Sequence, residues 1–138
     1  MVHTDDLVLF QGDSITDAGR SRENDVDLGR GYAALVAAWF GAAWPEKRAR
    51  FVNRGISGNR AKDLAARWQP DCLALKPNLV SILIGINDTW RRYDRNDPTS
   101  AEAFEVSYRA ILTQVRDQLG ARLVICEPFL LPVPDDRR

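Results

Sequence analysis

The chain has 138 residues, 45% hydrophobic and 28% charged, the size and composition of one globular domain spanning residues 1–138. Lys plus Arg and Asp plus Glu both number 19, so the formal net charge is zero, which argues against a nucleic acid or anionic membrane held by a bulk field. The N-terminus lacks the basic segment and apolar run of a signal sequence, and residues 32–44 are too few to span a bilayer, so a cytoplasmic location is expected.

In chain order, Leu7-Val8-Leu9-Phe10 is a short apolar run stopping at Gly12, and it predicts a buried strand. Residues 17–30 are polar and predict a surface loop. Tyr32, Leu35, Val36, Trp39 and Phe40 then recur at helical spacing, predicting an apolar helix face ended by Gly41 and Pro45. Arg50-Phe51-Val52-Asn53 predicts a second strand, closed by Gly55 and Gly58. Leu64, Ala65 and Trp68 have helical spacing that Pro70 interrupts.

Leu79-Val80-Ser81-Ile82-Leu83-Ile84 is apolar almost throughout and ends at Gly85. Its lack of alternation predicts burial on both faces, as in a parallel sheet. Ser100 is placed to cap a long helix through Phe104, Tyr108, Ile111, Leu112, Val115 and Leu119, stopped by Gly120. Leu123-Val124-Ile125-Cys126 predicts a fourth strand before Pro128. Strands alternating with helices predict an α/β class, a doubly wound (flavodoxin-like) parallel sheet. Cys72 and Cys126 fit no metal or redox spacing and are expected as buried free thiols, and neither metal nor cofactor is expected.

In such a sheet, ligands bind beyond the carboxyl ends of the strands. Three polar, glycine-containing turns follow the first three strands: Gly12-Asp13-Ser14, then Gly55-Ile56-Ser57-Gly58-Asn59, then Gly85-Ile86-Asn87-Asp88. A hydroxyl at Ser14, on a tight turn, is a candidate nucleophile, although the turn is not the Gly-x-Ser-x-Gly elbow because Thr16 replaces its second glycine. Gly58 can offer an unobstructed backbone N–H to an oxyanion, and Asn87 a side-chain amide. Asp13 and Asn59 lie beside these residues, and Trp90, Arg91, Arg92 and Tyr93 follow Asn87 at the mouth of the expected site. A nucleotide or phosphate binder is disfavoured, since there is no Gly-x-Gly-x-x-Gly and no Walker lysine.

These blocks resemble the first three sequence blocks of the SGNH/GDSL hydrolases, in order and spacing. The resemblance implies Ser14 as nucleophile, with its own N–H, the Gly58 N–H and the Asn87 side chain forming the oxyanion hole. Residues 12–20 (GDSITDAGR), 55–59 (GISGN), 66–69 (ARWQ) and 85–92 (GINDTWRR) are more narrowly similar to carbohydrate acetylesterases acting on xylo-oligosaccharides. That likeness implies a small ester or acetylated oligosaccharide as substrate, with Asp13, Asn59, Trp90 and Arg91 as substrate-binding residues.

The family supplies its catalytic base from an Asp-x-x-His block beyond the fourth strand, and residues 1–138 contain none. The single histidine, His3, precedes the first strand and stands on the order of 20 Å from Ser14, given a rise of about 3.3 Å per residue. The expectation is therefore a C-terminally incomplete domain, lacking the family's last strand and helix and weak or inactive alone. Its 122–129 strand is expected as an open edge that a second copy or a partner chain could cover. A non-catalytic binding module is the alternative.

Overall fold

The computed structural model describes residues 2–129. Four parallel strands, β1 (Leu7–Gly12), β2 (Arg50–Asn53), β3 (Leu79–Leu83) and β4 (Arg122–Cys126), form one sheet in the order β2-β1-β3-β4. Every residue of β1 and β3 is buried, Gln11 and Ser81 included, as their mostly apolar, non-alternating runs require of central parallel strands. The chain runs from β1 outward to β2 and then crosses back to β3. This reversal places a topological switch point between β1 and β3, where Gly12 pairs with Leu83.

Helices α1 (Ser14–Asp17), α2 (Tyr32–Ala43), α3 (Ala61–Ala66), α4 (Trp68–Asp71), α5 (Ile86–Asp94) and α6 (Ala101–Gln114) fill the connections. One sheet face carries the larger core, in which Leu9, Val80, Ile82 and Ile84 meet Leu64, Trp68, Cys72, Ile111 and Val115. The other face carries a smaller cluster of Val8, Phe10, Leu79 and Ala33, with Tyr32 and Phe51 packed against it. Ser100 caps α6 as expected, its Oγ accepting the Ala103 N–H at 3.2 Å, and Gly120 takes the left-handed conformation that ends the helical run.

Several expectations are corrected. In α2 the buried residue is Ala33, with Tyr32 packed beside it and Phe40 meeting Phe51 of β2 edge-on at 5.7 Å, while Leu35, Val36 and Trp39 are exposed. Gly41 lies inside α2 rather than ending it. The break after α3 falls at Arg67, and Pro70 sits in the first turn of α4, where its missing N–H costs nothing. The polar loop after β1 is partly interior, with Asp17 and Arg20 buried. Cys72 is buried, and burial pushes its thiol up to about 12, whereas Cys126 is only half-buried. Val124 and Ile125 of β4 are exposed, leaving this strand as an apolar edge among the described residues.

Candidate active site

The first site residue is set by the abrupt exit of the chain from β1. Gly12 ends the strand, Asp13 caps α1 by accepting the Ile15 N–H on Oδ1 at 3.0 Å, and Ser14 opens the helix with its side chain exposed. Asp13 itself is buried, so its carboxylate serves the turn, and its Oδ2 has no hydrogen-bond partner among the described residues. Burial raises the Asp13 carboxyl above its ordinary range, offset in part by the Ile15 N–H.

The loop after β2 lies directly against α1. A side chain on Gly55 would stand 2.4 Å from the Asp17 amide nitrogen, so only glycine allows this approach. Asn53 bridges the two segments, donating to the Thr16 carbonyl at 2.6 Å and accepting the Gly55 N–H at 2.8 Å. Arg20, also buried, donates to the Gly55 carbonyl at 3.0 Å. The Asp17 carboxylate accepts both the Ser57 N–H and the Ser57 hydroxyl at 2.9 Å, fixing the residue before Gly58. Gly58 adopts φ +84°, a left-handed conformation that orients its peptide group differently from its neighbours.

Asn87 comes from the end of β3 by a route the sequence did not reveal. The Gly85–Asp88 segment, read as a turn, is the start of the nine-residue helix α5. This helix leaves Trp90 and Tyr93 exposed and buries two polar residues, Asn87 and Asp88, the reverse of the apolar-inside pattern by which a helix is recognised. Asn87 Nδ2 donates to the Asn59 carbonyl at 3.0 Å, and Ile56 N–H donates to the Gly12 carbonyl at 3.1 Å. The three strand-end segments are thus joined by direct hydrogen bonds. Asp88 accepts the Ala61 N–H at the start of α3 at 3.1 Å. Burial raises its carboxyl too.

Arg91 is one turn beyond Asn87, and its guanidinium lies 3.7 Å from where a side chain on Gly58 would begin. It is paired with Asp94. Trp90 is half exposed and Tyr93 more so, leaving aromatic faces on the same helix. Asn59 spends its side-chain oxygen on Arg67 and its carbonyl on Asn87. His3 lies before β1, its N–H bonded to Asp6, whereas Ser14 follows the opposite end of that strand. A groove of about 550 Å³ runs along α6 and β4, lined by Phe104, Tyr108, Leu112 and Leu123, and includes none of Ser14, Gly58 or Asn87. Among the described residues no His/Cys/Asp/Glu group could hold a metal, and no helix is long and apolar enough to cross a membrane.

The framework has a definite pH response. Burial opposes the charged form of Asp17, but bonds from Arg22 and from the Ser57 N–H and hydroxyl outweigh it and hold the carboxyl below its ordinary value of 3.8. A carboxyl lowered on folding stabilises the fold above its unfolded pKa, and this contribution fades as pH falls through the folded value. Thermal midpoints are therefore expected to decline below about pH 4, and Asp17→Asn should flatten part of that decline. An unchanged acid slope in the variant would refute the assignment. The raised carboxyls of Asp13 and Asp88 have the opposite sign, so neither can account for acid loss.

Known proteins resemble this chain in sequence and in fold. The model of the GDSL-like lipase/acylhydrolase family matches residues 10–138. An acetylxylan esterase from Geobacillus stearothermophilus is 41% identical over 132 residues, covering 90% of this chain and 60% of that protein. Its crystal structure aligns with a TM-score of 0.83 at 38% identity, over the same 90% and 60% of the two chains. Solved structures of that esterase include catalytic mutants. A structure from Parabacteroides merdae described as a GDSL-like lipase aligns with a TM-score of 0.92 at 36% identity, covering 100% of this chain and 68% of that one. The chain spans 60% of the length of the curated relative it matches.

Proposed function

The chain belongs to the GDSL-like lipase/acylhydrolase family, and on that premise we propose that it carries the nucleophile and oxyanion-hole portion of a serine esterase that removes acetyl groups from acetylated sugars. One observation carries the reading: Ser14, Gly58 and Asn87 lie on three strand-end segments that hydrogen-bond to one another at the switch point of the sheet. In this reading the Ser14 oxygen attacks the ester carbonyl. The negative charge that develops on the carbonyl oxygen is received by the Ser14 and Gly58 N–H groups and by the second N–H of the Asn87 amide. Trp90 offers an apolar face for a sugar ring, and Arg91 a cation beside Gly58 for its hydroxyls or carbonyls. The sugar assignment is supported by the likeness to the acetylxylan esterase.

Attack by a serine hydroxyl near neutral pH requires a base. His3 is the one histidine of the 138 residues and stands at the far end of β1, so we propose that these residues alone hydrolyse esters weakly. A site with its oxyanion hole and binding surface but without a base retains roughly 10³–10⁴-fold acceleration over water.

The test is acetate release from acetylated xylo-oligosaccharide and from an activated acetate ester, by the wild type and Ser14→Ala. The expected result is slow turnover above buffer that Ser14→Ala changes little, since a nucleophile without a base adds almost nothing. Wild-type rates equal to buffer on both substrates would sink the hydrolase reading for this chain. A fast, Ser14-dependent rate would show that a group other than His3 supplies the base. The position of His3 also favours a second reading, a binding module, which predicts preferential binding of the acetylated over the deacetylated sugar without turnover.

A further inference from the structure

Arg67 occupies the break between α3 and α4, and its side chain is only 15% exposed. All its bonded partners are oxygen atoms, and they belong to separate parts of the fold. Nε donates to Asn59 Oδ1 at 2.8 Å, Nη1 to Asp71 Oδ2 at 2.8 Å and Gln11 Oε1 at 3.1 Å, and Nη2 to the Gly12 carbonyl at 3.3 Å. Gly12 and Asn59 are the two ends of the catalytic arrangement. Gly12 ends β1 just ahead of Asp13 and Ser14, and Asn59 follows Gly58 and holds the Asn87 amide through its carbonyl.

A cation recruited only to neutralise Asp71 would need one of these bonds. The other three go to neutral oxygens, and Gly12 and Asn59 lie at the carboxyl edge of the sheet where the site is built. Burial disfavours the Arg67 charge, with Asp71 as the compensating anion. A guanidinium keeps its charge under these conditions, and its rigid planar fork can serve several acceptors at fixed angles. Lysine has the charge but one nitrogen, which cannot span Asn59 and Gly12 together.

We infer that Arg67 is a positioning residue of the oxyanion hole, a planar clamp that sets the distance between the Ser14 turn and the Gly58–Asn59–Asn87 donor group. The inference rests on the esterase reading above, because only an oxyanion hole makes that distance matter for rate. It predicts that losing the clamp lowers turnover and leaves substrate affinity nearly intact.

The experiment compares wild type, Arg67→Lys, Asn59→Ala and Asn87→Ala on an activated acetate ester, separating kcat from KM. The Asn87 side-chain amide is followed by ¹⁵N NMR in the free proteins. Arg67→Lys is expected to shift the Asn87 amide resonances and to lower kcat about 10- to 100-fold, the scale of a misplacement of about 1 Å, with KM within about twofold. Asn59→Ala keeps the Arg67–Asp71 pair and the Asn59 carbonyl, so it remains informative where Arg67→Lys fails to fold. It is expected to reproduce the kcat loss. Unchanged Asn87 resonances and unchanged kcat in a folded variant would overturn the inference, leaving Arg67 as an ion-pair partner of Asp71. If Asn87→Ala itself has the wild-type rate, the esterase reading fails. The NMR comparison then still decides whether Arg67 fixes the Asn87 amide.

Discussion

Asn87→Ala is expected to remove about 10²–10³-fold of the ester hydrolysis shown by this chain, or about 2.7–4 kcal/mol of transition-state stabilisation. Asn87 is buried, and one N–H of its amide is spent on the Asn59 carbonyl at 3.0 Å. That bond fixes the plane of the amide, so its second N–H meets a developing oxyanion without reorganisation. A donor held in place before the charge develops is worth more than one that must reorient as solvent does. The unusual feature is the contrast with Ser14→Ala. Where no base activates the serine, the acceleration that remains comes from the oxyanion hole and binding, so removing a donor should cost more than removing the nucleophile. Initial rates on an activated acetate ester decide it. An Asn87→Ala rate within about threefold of wild type would remove Asn87 from the hole.

The largest expected loss of stability is that of Trp68→Ala, about 3–5 kcal/mol. Trp68 is 1% exposed and packs with Leu64, Cys72, Ile82 and Ile111 in the larger core. Its truncation would leave a cavity that the surrounding strands and helices fill only in part. Against a typical domain stability of about 5–15 kcal/mol, such a loss leaves the fold marginal. Trp68→Phe should cost much less, because the Phe ring keeps most of the packing and the indole Nε1, buried without a hydrogen-bond partner among the described residues, is removed along with its desolvation cost. Urea unfolding checks both, with a lowered midpoint and an unchanged slope expected. A loss under about 1 kcal/mol for Trp68→Ala would show that the core closes over the gap.

How much of the site was legible depended on whether a residue's role lay in local chain geometry or in distant contacts. The turn bearing Ser14 and the loop bearing Gly58 could be read because glycine and aspartate punctuate the chain where strands end. Helix α5 was not legible as a helix. Its buried positions are Asn87 and Asp88, so it inverts the apolar-inside pattern from which helices are recognised. Asp17 and Arg20 read as solvated loop residues, yet they are buried because they bind the Ser57 and Gly55 segment more than thirty residues away. Arg67 falls in the block 66–69, but its contacts were not legible there, since its partners Gln11, Gly12, Asn59 and Asp71 are spread over β1, the loop after β2 and α4.

The sequence by itself determined the α/β class and the parallel sheet. The mostly apolar, non-alternating runs in β1 and β3 are stable only when covered on both faces, and that requirement is local to each run. It also determined which residues could do chemistry, through their types and their places just after strands. Tertiary structure alone decided the strand order, the buried face of α2 and the charged framework beneath the site. Each of these depends on which distant segments meet, and the strength of a buried ion or amide is set by that meeting. The hydroxyl of Ser14 is written in the sequence. Where Gly58 and Asn87 sit relative to it is decided by hydrogen bonds of Asp17, Asn59 and Arg67 that reach across the fold.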